Sequence, residues 1–302
     1  MRVLLFFIFF VLLLYYSLFP PSVSAQEYLG QNFLHRYYSR VPSDWQMQRF
    51  RIWVRPFGNW SRIGSSNNGA ADLTYYSYGA AAGIDRQVGQ HFLHGFSFGG
   101  SESKADTVPF GRQFVKPDFS NVFGSVYCRF THWNCYADLE TGLGSNEQSL
   151  GNNTANHTAM QWNVNGEIGV WKKHGLGKIE PYLGLRYVSL DTEPSAESKT
   201  TLLAGLRYSW KKASDYSVMS PRCYAGVIQE LGGRNLMNAG VYVDSPAVFA
   251  VPGYKAAQTR LFFGGGLTAS MGNSLDVYFR YTAEAASDQM SHSILTGMNW
   301  NF

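Results

Sequence analysis

Along most of this chain, apolar and polar residues alternate with a period of two. Between residues 274 and 285, Leu275, Val277, Phe279 and Tyr281 share one face, and Asp276, Arg280 and Glu284 share the other. In 199–212, Leu202, Ala204, Leu206, Tyr208 and Trp210 oppose Thr201, Arg207 and Ser209. In 158–172, Trp162, Val164, Ile168 and Val170 oppose Gln161, Asn163, Asn165 and Glu167. Ile179, Pro181, Leu183, Leu185 and Tyr187 oppose Glu180, Gly184 and Arg186, and Phe50, Ile52 and Val54 oppose Arg51, Trp53 and Arg55. The last residues repeat the pattern: Trp300, Met298, Thr296 and Ile294 alternate with Asn301, Asn299, Gly297 and Ser293, with Leu295 the exception. Successive strand side chains point to opposite sides, so this period predicts strands. Twelve are expected, over 49–58, 73–86, 91–103, 119–130, 133–144, 158–172, 178–191, 199–212, 218–230, 258–271, 274–285 and 290–302.

The connections sort by length. Short turns are expected at Arg86 to Gln90, Thr131-His132, Lys172 to Gly177 and Gly272-Asn273, with a middling one near Lys211 to Asp215. Longer polar loops are expected at Ser61 to Asp72, Ser103 to Pro117, Ser145 to His157, Asp191 to Lys199 and Leu231 to Gln258. Short turns at one end and long loops at the other are the pattern of a transmembrane antiparallel up-and-down β-barrel, short periplasmic turns facing long extracellular loops. The charges then gather on one side of a closed sheet. A charge facing lipid near the midplane costs roughly 2–4 kcal/mol, so a spanning barrel must turn Arg51, Arg55, Asp138, Glu140, Glu167, Glu180, Arg186, Arg207, Asp276, Arg280 and Glu284 toward its lumen. There, Arg–carboxylate pairing across strands is the expected arrangement.

Alternation alone also fits a soluble sandwich; the two ends of the chain separate the cases. Arg2, an apolar run from Val3 to Leu18, Pro20-Pro21 and the small residues Val23-Ser24-Ala25 read as a signal peptide over 1–25, cleaved before Gln26. The run is about 16 residues, short of the roughly 20 a spanning helix needs. At the other end, the chain stops on Phe302. The composition agrees: 31 Gly, 19 Tyr and 21 Phe, with only 15% charged residues, suit strands and interfacial aromatic girdles. A net charge of +4 without a basic cluster interleaved with aromatics gives no reason to expect a nucleic-acid partner.

Ile52-Trp-Val-Arg-Pro-Phe-Gly-Asn-Trp60, Tyr76-Ser-Tyr-Gly-Ala-Ala-Ala-Gly-Ile-Asp85, Gly166-Glu-Ile-Gly169 and Glu180-Pro-Tyr-Leu-Gly-Leu-Arg-Tyr187 follow one another in order. After them come Val251-Pro-Gly253, Gly264-Gly-Gly-Leu267, Phe279-Arg-Tyr281, Ser287-Asp288, Ser291-His292 and Phe302. In order and spacing these segments resemble the autotransporter β-domain, the translocator of bacterial type V secretion. The resemblance implies a twelve-stranded barrel over 49–302 in the cell outer membrane, in contact with membrane lipid and carrying the chain's N-terminal segment in its lumen. It also implies insertion by the outer-membrane barrel assembly machinery, which reads the last strand and its terminal aromatic, here Met298, Trp300 and Phe302. Members typically place a large passenger ahead of the barrel. The stretch from Gln26 to Gln48 is about two dozen residues, too short for a domain.

Two arrangements of residues 26–48 fit the sequence: a plug threaded through the lumen, the one expected, and a flexible periplasmic tail. Extended at ~3.3 Å per residue the segment reaches on the order of 75 Å, and Pro42 forbids one continuous helix through it. The function expected is a monomeric surface scaffold or minimal type V secretion unit, and the alternative is a diffusion pore for small solutes. No catalysis, cofactor or metal is expected. Ser291 and His292 are strand neighbours facing opposite ways, and no Cys-x-x-Cys or His-x-x-x-His pair offers metal ligands. Cys128 and Cys135 flank Thr131-His132 symmetrically, so a tight hairpin would set them opposite each other. A disulfide and two small lipid-facing residues both fit that placement.

Overall fold

The structure is a computed structural model. It describes residues 50–63, 73–105, 108–110, 113–115, 118–149, 157–175, 177–192, 195–213, 217–232, 238–241, 248–251, 258–272, 274–287 and 289–302. The expected signal peptide, the segment 26–48 and much of the long loops lie outside them.

Twelve long strands form the wall: β1 (Phe50–Ile63), β2 (Leu73–Val88), β3 (Phe92–Ala105), β4 (Asp118–His132), β5 (Cys135–Ser149), β6 (His157–Val170), β7 (Gly177–Thr192), β8 (Ser195–Trp210), β9 (Ser217–Gly232), β10 (Thr259–Met271), β11 (Leu275–Ala285) and β12 (Gln289–Asn301). Each pairs antiparallel with the next, and β12 pairs with β1, which closes the barrel. The register across that seam is the same on both sides of Pro56, from Arg51 opposite Asn301 to Ile63 opposite Gln289, and the Phe302 N–H donates to the Phe50 carbonyl at 2.9 Å. Short pieces at Lys172–His174 and Lys212–Ala213 continue β6 and β8 past the wall. Small hairpins at Val108–Phe110 with Gln113–Val115 and at Asn238–Val241 with Val248–Val251 stand in two of the long connections. Among the described residues there is no helix.

All twelve expected strands are present, several running further toward the long loops than the alternation alone reached. Two connections differ from expectation. The β7–β8 link, expected as a loop over 191–199, is a tight hairpin in which Thr192 pairs with Ser195. The β4–β5 turn falls on Trp133-Asn134, two residues beyond Thr131-His132, because Trp133 takes a left-handed backbone (φ 50°). A bulky residue in that region is uncommon, so the sequence carried no ordinary turn signal there. Gly89, Gly175 and Gly272 hold the same conformation at the other short turns.

The shifted turn corrects the cysteine reading. Cys128 lies opposite Leu139 and Cys135 opposite His132. The two cysteines are therefore four residues out of step, roughly 13 Å along the strands, beyond the span a disulfide bridges. All three cysteines are free.

Inside the wall, nine aromatic rings each lie over a glycine directly across the strand pair. Trp53 covers Gly83, Phe57 Gly79, Phe123 Gly99, Tyr127 Gly95, Tyr136 Gly169, Tyr182 Gly205, Tyr224 Gly264, Phe262 Gly226 and Tyr278 Gly297. Every one of these rings is buried. A Cβ on any of these glycines would overlap the ring above it, so the missing side chain is what lets the ring lie flat across its neighbour's backbone. Trp53 is further fixed by its indole N–H, which donates to the Tyr127 hydroxyl at 2.9 Å.

Gly83→Val should therefore lower the unfolding temperature in detergent, the overpacking costing about 1–3 kcal/mol. Gly265→Ala, whose Cβ would meet only the Arg222 carbonyl oxygen at 3.5 Å, should leave it nearly unchanged.

Candidate functional site: the lumen

The inner positions of the strands converge on the lumen, where polar and charged side chains are buried. Arg51 holds Asp85 at 2.7 Å, directly across β1–β2, and Asp85 also accepts from the Tyr127 hydroxyl at 3.0 Å. The Arg55 guanidinium stacks 3.7 Å above the Trp53 ring, a cation–π contact strengthened by burial.

A second network spans β4 to β8. Asp138 and Glu167 stand directly opposite one another, a like-charge pair that would repel if left alone. Arg129 clamps Asp138 with two guanidinium hydrogen bonds across the β4–β5 hairpin. Arg207 reaches both oxygens of Glu167, at 3.0 and 3.1 Å, and Glu180 at 3.2 Å. The Tyr136 hydroxyl donates to Glu167 at 2.7 Å, and the Tyr182 ring lies 3.3 Å beneath the Arg207 guanidinium. Lys178 adds a bridge to Glu180 at 2.7 Å. On the far wall Glu230 takes Lys199 and Arg260, and Arg260 in turn faces Glu284 at 3.4 Å. Glu140 ends a chain of hydroxyls: Ser97 meets Ser125 at 2.7 Å, and Ser125 donates to Glu140 at 2.7 Å. Arg186 and Arg280 are buried in the same space, and Asp276 is half-buried on the inner face of β11.

Toward the long loops one wall changes character. Asn59, Ser61, Ser77, Ser101, Asn121, Asn163, Ser291 and Ser293 are buried, uncharged, and carry side-chain polar atoms with no hydrogen-bond partner among the described residues. These positions come from β12, β1, β2, β3, β4 and β6, so they form a surface rather than a point.

Two serine motifs have the residues, but not the geometry, of a known nucleophile arrangement. Ser291 is buried inside, while His292 faces outward, stacked on Trp60 at 5.0 Å and hydrogen-bonded to the Tyr281 hydroxyl at 2.6 Å. Gly95-Phe-Ser-Phe-Gly99 has the residue spacing of a hydrolase nucleophile elbow. Here it runs straight within β3, with Ser97 turned to Ser125. Among the described residues no group of three or more His, Cys, Asp or Glu side chains is arranged to hold a metal.

Asp85, Arg129, Lys178, Lys199, Glu230 and Arg260 belong to the lumenal networks but were not among the charges singled out from sequence. Arg129 and Asp138 are equidistant from the true turn at Trp133-Asn134, so correct placement of that turn would have exposed their pairing.

The outward residues of β12 include Met298 and Trp300, and Phe302 beyond its end is 73% exposed. Met298 and Trp300 thus point away from the lumen, and Phe302 is exposed at the strand's end.

The family model described as autotransporter beta-domain matches residues 52–282. No curated protein matches the chain. Among solved structures, the translocator domain of autotransporter NalP from Neisseria meningitidis superposes with a TM-score of 0.59 at 18% identity, over 83% of this chain and 88% of that one. The beta domain of the Bordetella autotransporter BrkA gives a TM-score of 0.63 at 17% identity, over 83% and 98%. The transport unit of the autotransporter AIDA-I from Escherichia coli gives 0.61 at 14% identity, over 88% and 94%. At these identities the likeness is one of fold.

Arg207→Met would take the guanidinium from Glu167 and leave Glu180 with Lys178, at a cost of about 3 kcal/mol in unfolding free energy. Adding Glu167→Gln to it should recover most of that loss, read by heat or urea unfolding in detergent.

Proposed function

The chain belongs to the autotransporter β-domain family, and on that footing we propose that it works as a minimal type V secretion unit. In this reading an outer-membrane translocator barrel carries residues 26–48 in its own lumen and presents its long loops outside the cell. Family membership implies an outer-membrane address and, in general, contact with membrane lipid and with the barrel assembly machinery. Met298, Trp300 and Phe302 are the residues we assign to recognition by that machinery.

The observation that carries the plugged reading is the neutral wall at the loop end of the lumen. Its buried amides and hydroxyls have no partner among the described residues, and each unmet buried group costs about 1–3 kcal/mol. Something with donors and acceptors must meet them. A peptide segment supplies one N–H and one C=O per residue along its length, which suits a surface spread over six strands. Ionic networks of mixed charge line the rest of the lumen, at the turn end and on the β8–β11 wall at the loop end.

Conductance across a planar bilayer tests this. The protein with residues 26–48 intact should be silent or flickering, and deletion of 26–48 should give a steady, larger conductance of weak ion selectivity. Steady conductance from the intact protein would replace the proposal with a diffusion pore.

A further inference from the structure

One deeply buried acid of the lumen stands outside the ionic networks. Asp85, Asp138, Glu167, Glu180, Glu230 and Glu284 each hold an arginine or lysine in an ion pair. Glu140 on β5 is only 2% exposed and holds none among the described residues. The Ser125 hydroxyl donates to it at 2.7 Å, one bond for a carboxylate with about four lone-pair sites. Arg186 lies two strands away with Asn165 between them, and Arg55 lies flat against the Trp53 ring. A carboxylate this deep is costly unless a cation and further donors meet it.

The wall beside Glu140 leaves room for such a cation. Gly142, the next inward position on β5, has no side chain, and Ser125 and Asn163 flank it directly on the two neighbouring strands. The Asn163 Oδ1 lies 2.6 Å from where a Cβ on Gly142 would stand. Asn163 is 1% exposed, and neither its amide oxygen nor its amide nitrogen has a hydrogen-bond partner among the described residues. The carboxylate and the amide oxygen together call for a cation with several N–H donors. A guanidinium carries five in a flat fork and no acceptor. It can give two to Glu140 and a third to Asn163.

The chain ahead of the barrel can supply it. Residues 26–48 contain Arg36 and Arg40 but no lysine, and no acid lies between Glu27 and Asp44. Glu140 is five residues from Cys135, where β5 leaves the turn end. That is roughly 17 Å along the strand, or about 13 Å of height for a strand tilted about 40°. Arg40 precedes Phe50, the turn-end start of β1, by ten residues and Arg36 precedes it by fourteen. Extended, those tethers span about 33 and 46 Å, enough to climb to Glu140 and cross the lumen to β5. We propose that the niche of Glu140, Gly142 and Asn163 is a guanidinium site, and that an arginine of residues 26–48 fills it and latches the plug. This rests on the plugged reading and names the contact that holds the plug in place.

The test is a double-substitution cycle read as planar-bilayer conductance of the protein with residues 26–48 intact. Glu140→Gln keeps the side chain's shape and removes its charge. It should raise the fraction of time the barrel conducts about tenfold or more. Either Arg36→Gln or Arg40→Gln should do the same, and the one that responds identifies the arginine. Combined with Glu140→Gln, that substitution should add little, because both remove one interaction. An unchanged, silent Glu140→Gln protein, no response to either arginine substitution, or additive effects would each overturn the latch while leaving the plug standing. Steady conductance from the unaltered protein would instead remove the plugged reading, and the latch with it. Heat-modifiable gel mobility of every variant reports separately on whether the barrel has formed.

Discussion

Hydrocarbon offers the backbone no hydrogen-bond partner, and the rest of this protein follows from how the chain meets that constraint. A sheet can span lipid only if it has no edge. Here the first strand must find the last across the whole intervening sequence, and it does so in constant register from Arg51 to Ile63. Pro56, which cannot donate to the ladder, sits within that seam without shifting it. Terminal Phe302 ties its amide to the Phe50 carbonyl, so the chain's last residue completes the ring that its first strand opened.

Closure produces an interior that must be filled. The rings of Trp53, Phe57, Tyr127, Tyr136 and their counterparts lie over glycines across the strand pairs, which gives a physical use to nine of the 31 glycines. The charges occupy what remains. Asp138 and Glu167 face each other only because Arg129 and Arg207 flank them. A one-residue slip would turn every side chain of a strand to the other face, sending its charges into lipid. The ionic networks thus specify register more than they add stability, since buried pairs largely spend their attraction on desolvation.

The outward face follows a different rule, set by depth. Trp60, His292 and Tyr281 stack near the loop end across the closing seam. Tyr208 and Trp210 stand near the turn end of that face, whereas Trp171 turns inward against Tyr136 and Lys178. Aromatic residues at both levels are the expected anchors of a spanning barrel. Between them the wall is apolar.

The sequence by itself determined which way each strand faces, how many strands there are, and the family, because a period of two survives any error in strand ends. Arg207 and Glu180 could be assigned to the lumen from alternation alone. Which residues meet was decided by the tertiary structure. Alternation fixes a side chain's face but says nothing of register, and register depends on turns as unremarkable in sequence as Trp133-Asn134 or the tight link from Thr192 to Ser195. Cys128 and Cys135 share the outward face as alternation requires, yet a two-residue displacement of the turn separates them. The same displacement brings Arg129 onto Asp138. The ring-over-glycine pairs, the Arg207 network and the niche over Gly142 all need strands aligned in register at once. That alignment exists only after the barrel has closed.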